Sequence, residues 1–201
     1  MRVPGHPDGF ELAVRAVMGQ QVTVKGGRTL AERLVHKLGS RLPAPHGTVT
    51  HLFPRPEVVA DADLSGIGLT TPRIRALRML STSVAQGQIT LDPGADRMET
   101  RRGLLAVPGI GPWTADYIAM RAMADPDAIP LTDHGLRRAF LALGGSAEPR
   151  GLAAHAEGWR PWRSYGALHL WVHLAEEGQA RSLPSFRGRD SVARRSLTRF
   201  A

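Results

Sequence analysis

Leu104-Leu105-Ala106-Val107-Pro108-Gly109-Ile110-Gly111-Pro112-Trp113-Thr114-Ala115-Asp116-Tyr117-Ile118-Ala119-Met120 is the stretch around which the chain is read. An apolar, helix-compatible run ends at Val107, Pro108-Gly109 breaks it, and Gly111-Pro112 opens another helix. Proline suits a first helical position, where its missing N–H would have found no partner. Leu105, Ile110, Ala115 and Ile118 are spaced to pack the two short helices together across the turn. Gly109 and Gly111 permit positive φ and leave the turn bare of side chains. The amides of Gly109, Gly111 and the residues opening the second helix can then converge on one phosphate oxygen, at the positive end of a helix dipole. Such a helix-hairpin-helix grips a nucleic-acid backbone. Pro-Gly-Ile-Gly alone serves equally as plain punctuation between helices. Two features weigh against that blander reading: Trp-Thr-Ala follows the turn, and Asp133 lies twenty positions beyond Trp113.

A chain of 201 residues with 42% apolar content suffices for one substantial domain or two small lobes around a core. Its formal net charge is +8, and of its 26 basic residues only Lys25 and Lys37 are lysines. Arginine grips phosphate bidentately and stacks on bases, which favours a polyanionic partner, although an Arg-rich genome would leave the same composition. The absence of cysteine excludes disulfides, Cys-ligated zinc and iron–sulfur clusters. No apolar run approaches the ~20 residues of a membrane span. Met1 to Gly5 carries no apolar signal core. A soluble intracellular protein is expected.

In chain order, Asp8 caps a helix through Leu12, Ala16 and Val17 to Gln20-Gln21-Val22. A second helix spans Arg28 to Leu38, with Gly39 as its stop. Arg41 to Phe53, with Pro43, Pro45 and Gly47, reads as a loop. Pro56 to Ala62 is a short helix and Leu64 to Leu69 a turn. Thr71-Pro72 opens a helix reaching Gly87, and Glu99 to Ala106 forms the first helix of the hairpin. Asp125 to Thr132 is a loop that delivers Asp133 to the start of the next helix; Ala153–Glu157 and Gly166–Glu177 follow as helices. No period-two alternation and no internal repeat is evident. The predicted fold is all-α, roughly ten helices in two lobes with a groove between them.

These residues resemble the helix-hairpin-helix, Gly/Pro-rich loop and Asp signature of the base-excision DNA glycosylases. Within that superfamily, four segments resemble the DNA-3-methyladenine glycosylase II (AlkA) type. They are Arg2-Val3-Pro4-Gly5, Val14 to Gln20, Gly109 to Tyr117, and Trp159-Arg160-Pro161-Trp162-Arg163-Ser164-Tyr165 followed by Leu168 to Trp171. The resemblance spans roughly residues 2 to 175. It implies a helical catalytic domain over 1–178, with the hairpin at about 104–123, and a basic tail over 179–201. It also implies that the usual N-terminal β domain, which supplies an aromatic to the family's base pocket, is lacking.

By this resemblance Asp133 is the catalytic carboxylate. It would stabilise the oxocarbenium character that develops on the sugar as the C1′–N bond breaks, or align and deprotonate a water. As a residue, Asp133 is also an ordinary helix N-cap. Trp113, Tyr117 and Trp171 match the aromatic base pocket, with His134 where the type enzyme has Tyr; without the resemblance the aromatics would be read as a core cluster. Electron-rich rings suit flipped, positively charged bases. Trp113 replaces the nucleophilic Lys of the bifunctional relatives, so no Schiff base forms with the sugar and no lyase activity is expected. Gln21 matches the wedge that fills the gap left by the flipped nucleotide, flanked by Gln20. Gly109, Gly111 and Thr114 would hold a phosphate. The carbonyls of Leu105, Val107 and Ile110 would bind a structural Na⁺, with no cofactor for catalysis. Trp159 and Trp162 are expected in the core, and Arg163 and Tyr165 have no assigned role.

The resemblance therefore implies a monofunctional DNA glycosylase, a hydrolase that removes alkylated purines such as 3-methyladenine and 7-methylguanine from double-stranded DNA. It would act as a monomer, without a membrane, in the cytoplasm on chromosomal DNA. The rivals are a related glycosylase for deaminated or oxidised bases and a non-catalytic helix-hairpin-helix DNA-binding module. A protein-interaction scaffold is a weaker third, since it leaves the coincidence of Trp113, Asp133 and Trp171 unexplained.

Overall fold

A computed structural model describes residues 2–148 and 150–182. Nine α-helices carry the fold among these residues: α1 (Gly9–Met18), α2 (Val24–Leu38), α3 (Pro56–Asp61), α4 (Thr71–Ala85), α5 (Arg97–Ala106), α6 (Pro112–Arg121), α7 (His134–Ala142), α8 (Gly151–Ala156) and α9 (Arg163–Ser182). A short 3₁₀ turn, Glu157–Trp159, joins α8 to α9. The all-α expectation holds, with one correction. The segment read as a loop contains a two-stranded antiparallel sheet, β1 (Arg41–His46) and β2 (Val49–His51). A two-stranded sheet leaves each strand an unpaired edge, where proline is tolerated, and Gly47 reverses the chain at φ +59°. Pro43 and Pro45 thus hid the strand without preventing it.

Several helix ends differ from the sequence reading, and for α2 and α5 a side-chain cap sets the start. α1 stops at Met18, short of Val22, and Asp8 caps its start by accepting from Glu11 N. α2 begins at Val24 because the Thr23 hydroxyl accepts from Gly26 N. α4 begins at Thr71, after a Thr70 whose side chain makes no capping hydrogen bond, which puts Pro72 at its second position. α5 begins at Arg97 under the Asp96 carboxylate, which accepts from Glu99 N. α8 starts at Gly151 and α9 at Arg163, both ahead of the expected residues. α9 also takes in residues 179–182 of the expected tail; the remainder of the tail lies outside the described residues.

Helix α1 is central. Leu12, Ala13, Val14, Ala16, Val17 and Met18 are all buried, and the helix packs against α2, α4 and α6. α7 packs on α9, and their Leu136, Ala139, Ala167 and Leu170 join the same core. The α3–α4 connection repeats the Gly-Ile-Gly of the hairpin, with Leu64 and Ile67 buried as Val107 and Ile110 are. A short recurrence therefore exists where none was evident from periodicity.

Charge holds α9 in place. Arg163 Nε and Nη2 reach the two oxygens of Asp127 at 2.8 and 2.9 Å, and Arg160 contacts the same carboxylate. Burial alone would raise the Asp127 carboxyl, but the hydrogen bonds and charge of Arg163, with the charge of Arg160, outweigh it and hold it below its usual value. The Ser164 hydroxyl lies 2.7 and 2.6 Å from the carbonyls of Asp125 and Ala128, and its one proton serves either of them. This is the structural work of the Trp-Arg-Pro-Trp-Arg-Ser segment. Trp159 packs against the core, but Trp162, expected inside, is 57% exposed.

The hairpin core also needs one substitution of residue. Leu104 is fully buried, whereas Leu105 is 37% exposed. Helix α5 turns Leu104, not Leu105, toward Ile110, Ala115 and Ile118 in the common core. Leu104→Ala is expected to destabilise the fold by about 2–5 kcal/mol. Leu105→Ala should change stability by no more than about 0.5 kcal/mol. Urea unfolding of the two variants measures the difference.

Candidate active site

Asp133 begins α7 as its N-cap, with Oδ1 accepting from Leu136 N at 2.8 Å. The same oxygen accepts from the Trp171 indole Nε1 at 3.1 Å, and Oδ2 accepts from Trp113 Nε1 at 2.8 Å. Three N–H donors from α6, α7 and α9 therefore meet on one carboxylate. An ionised carboxylate only accepts, so it satisfies all three; an amide would turn an N–H toward one of them. The twenty-residue spacing from Trp113 to Asp133 is closed by a folded loop rather than a free one. Asp125 N donates to the Ala119 carbonyl at 3.1 Å, Asp133 N donates to that of Pro130 at 2.9 Å, and Ala128 and Ile129 are buried.

Gly135 eases this arrangement. A Cβ there would stand 3.0 Å from Asp133 Oδ1 and 3.2 Å from Leu174 Cδ2, contacts that a few tenths of an ångström of adjustment would relieve, so the bare backbone lets α9 approach the carboxylate closely. Nothing local in the sequence marks Gly135, because this contact lies between α7 and α9.

Trp113 and Tyr117, one turn apart on α6, stack nearly parallel at 5° with centroids 5.3 Å apart. Trp171 meets Tyr117 edge-on at 6.3 Å. With Leu12, Ala16 and Asp133 they line a cavity of about 510 Å³. A second depression, of about 490 Å³, opens on the hairpin side and shares Trp113 and Asp133 with the first. Its other walls include Gln20, Gln21, Gly109, Gly111, Thr114 and His134. His134 is thus placed on the hairpin side and exposed, apart from the three aromatics with which the sequence reading grouped it.

In the hairpin only Gly109 takes positive φ, at +95°; Gly111 caps α6 at φ −93°. Gly111 has open space where a Cβ would stand, so the first turn of α6 presents its backbone unobstructed. Thr114 is buried, and its hydroxyl accepts from Gln20 Nε2 at 2.9 Å. The same Gln20 nitrogen donates to the Gly109 carbonyl at 2.9 Å. Gln20 therefore ties the end of α1 to the hairpin, and Arg73 reaches its backbone carbonyl from α4. Gln21, thus held, projects from the surface with φ +53°, a left-handed conformation uncommon outside glycine.

Three arginines of the aromatic cavity, Arg15, Arg28 and Arg121, went unnoticed in the sequence. Arg121 lies one turn beyond Tyr117, with its guanidinium carbon 5.6 Å from the ring centroid and Nη1 donating to the Tyr117 hydroxyl at 3.4 Å. The four-residue spacing from Trp113 through Tyr117 to Arg121 was the available signal.

The Gln20 tie predicts that Gln20→Ala leaves Thr114 Oγ1 and the Gly109 carbonyl without their donor. The expected loss is about 1–3 kcal/mol in thermal unfolding.

No family model matches the chain. It is 46% identical over 173 residues to a probable bifunctional transcriptional activator/DNA repair enzyme AlkA of Mycobacterium tuberculosis, covering 86% of this chain and 35% of that protein. It is 33% identical over 174 residues to DNA-3-methyladenine glycosylase 2 of Escherichia coli, covering 85% and 60%. The chain therefore spans between about a third and three-fifths of these relatives. Among solved structures, a Schizosaccharomyces pombe 3-methyladenine DNA glycosylase in complex with abasic DNA shares the fold. Its TM-score is 0.69 at 22% identity, covering 85% of this chain and 82% of that one. Over about 85% of its length, the chain is thus similar in sequence to AlkA-type DNA-3-methyladenine glycosylases.

Proposed function

We propose that this chain is a monofunctional DNA glycosylase that hydrolyses the N-glycosidic bond of alkylated purines, 3-methyladenine and 7-methylguanine among them, in double-stranded DNA. The observation that carries this reading is the position of Asp133, fixed by two indoles on the wall shared by two depressions. A flipped base would enter the aromatic side while its sugar-phosphate stays on the hairpin side, which brings C1′ to the carboxylate between them. Asp133 would then stabilise positive charge on the sugar, or align and deprotonate the attacking water. Bases that carry positive charge before cleavage leave readily and need little acid catalysis.

The backbone amides at Gly109, Gly111 and the first turn of α6 would hold the phosphate, and Gln21 would fill the gap in the duplex. The backbone carbonyls of Leu105, Val107 and Ile110 would hold a structural Na⁺. Carbonyl oxygens suit a hard cation, and those of Leu105 and Ile110 receive no backbone N–H among the described residues. The ion would join protein to phosphate and take no part in bond breaking. The protein would act as a monomer. Trp113 stands where a lyase would need an amine, so hydrolysis alone is assigned.

The test is release of bases from methylated duplex DNA. Wild type should free 3-methyladenine and leave alkali-labile sites, whereas Asp133→Asn should lose at least about 10²-fold in rate while still binding duplex. Strand cleavage without alkali, with a covalent complex trapped by borohydride, would contradict the monofunctional assignment. Tight binding without release by either protein would contradict the enzyme.

A further inference from the structure

We propose that Arg121 sets the balance between cationic and neutral bases in the aromatic cavity, a role that rests on the glycosylase reading above. Trp113 and Tyr117, at 5.3 Å between centroids, leave no room for a third ring between them. An incoming base must therefore lie alongside this stack, in the cavity that Arg121 also lines. Along α6, Tyr117 has Trp113 one turn before it and the guanidinium of Arg121 one turn after it. That guanidinium is held in place: Nε donates to the Pro4 carbonyl at 2.6 Å and Nη1 to the Tyr117 hydroxyl. The backbone carbonyl of Arg121 accepts from His6 N at 3.0 Å, which fixes the Pro4–His6 segment against the same residue.

Its charge is not neutralised locally. Arg15, which also lines the cavity, is paired with Glu11 at 2.6 Å, but among the described residues no carboxylate pairs with Arg121. Asp133 thus faces two guanidiniums on the cavity wall that no carboxylate pairs among the described residues, Arg28 and Arg121, and of these Arg121 is the one that lies over the Tyr117 ring. A tyrosine ring already engaged by one cation offers less to a second, and two like charges in a partly desolvated cavity repel. A neutral base meets neither cost. Arg121 therefore offsets the attraction that the aromatic rings and Asp133 exert on a cationic base, and admits neutral bases on closer terms.

The experiment compares release of 7-methylguanine, cationic in the nucleotide, with release of hypoxanthine, neutral, from matched duplexes. Both rates come from one preparation, so any loss of folded protein cancels in their ratio. Arg121→Met, of similar length and without charge, should raise the ratio of 7-methylguanine to hypoxanthine on the order of tenfold. Arg121→Lys, which keeps the charge, should leave the ratio near that of wild type. An unchanged ratio in Arg121→Met overturns the proposal. An equal rise in both variants also overturns it, because the effect would then come from packing against Tyr117 and Pro4. Release of neither base by wild type overturns the glycosylase reading, and this inference with it.

Discussion

Three N–H groups from three helices share the two oxygens of one carboxylate, and the geometry of the site depends on that meeting. Trp113 comes from α6, Trp171 from α9, and Asp133 opens α7. Each helix is positioned for its own reasons: α6 by the glycine turn and the buried face it shares with α1, α9 by the bidentate Arg163–Asp127 pair, α7 by its packing on α9. The carboxylate is where those separate constraints must agree. Bare backbone at Gly135 eases the close approach of α9 to it. A carboxylate that must accept from both indoles has little freedom to rotate, which is the preorganisation that electrostatic catalysis requires.

The same constraint gives the aromatic residues a second task. Read as rings, Trp113 and Trp171 are surfaces against which a base can rest. Read as donors, they aim Asp133. Phenylalanine could do the first and not the second, which gives tryptophan a specific chemical role at both positions.

Much of this was legible in the chain. The Pro108 to Pro112 turn, the N-cap at Asp133 and the i, i+4 pair Trp113 and Tyr117 are local patterns, and local patterns survive folding. What escaped notice depended on contacts distant in sequence. Leu104 and Leu105 are equally apolar, and only the packing of α5 on the core separates them. Gln20 read only as the flank of the Gln21 wedge, and its tie from α1 to Gly109 and Thr114 reaches about ninety positions on. The β1–β2 hairpin was masked by prolines that its free edges tolerate. Trp162 looked like core and is exposed, because the neighbouring Arg160, Arg163 and Ser164 are the residues that anchor the segment inward.

The most direct test of the account separates aiming from stacking. In the double variant Trp113→Phe, Trp171→Phe both rings remain while Asp133 loses its two indole donors. Single-turnover release of 3-methyladenine from duplex DNA should then fall on the order of 10²-fold, with duplex affinity retained, because the carboxylate that we propose acts on the sugar is no longer held in place. Release at the wild-type rate would contradict the account: the indoles would be walls of a pocket and nothing more.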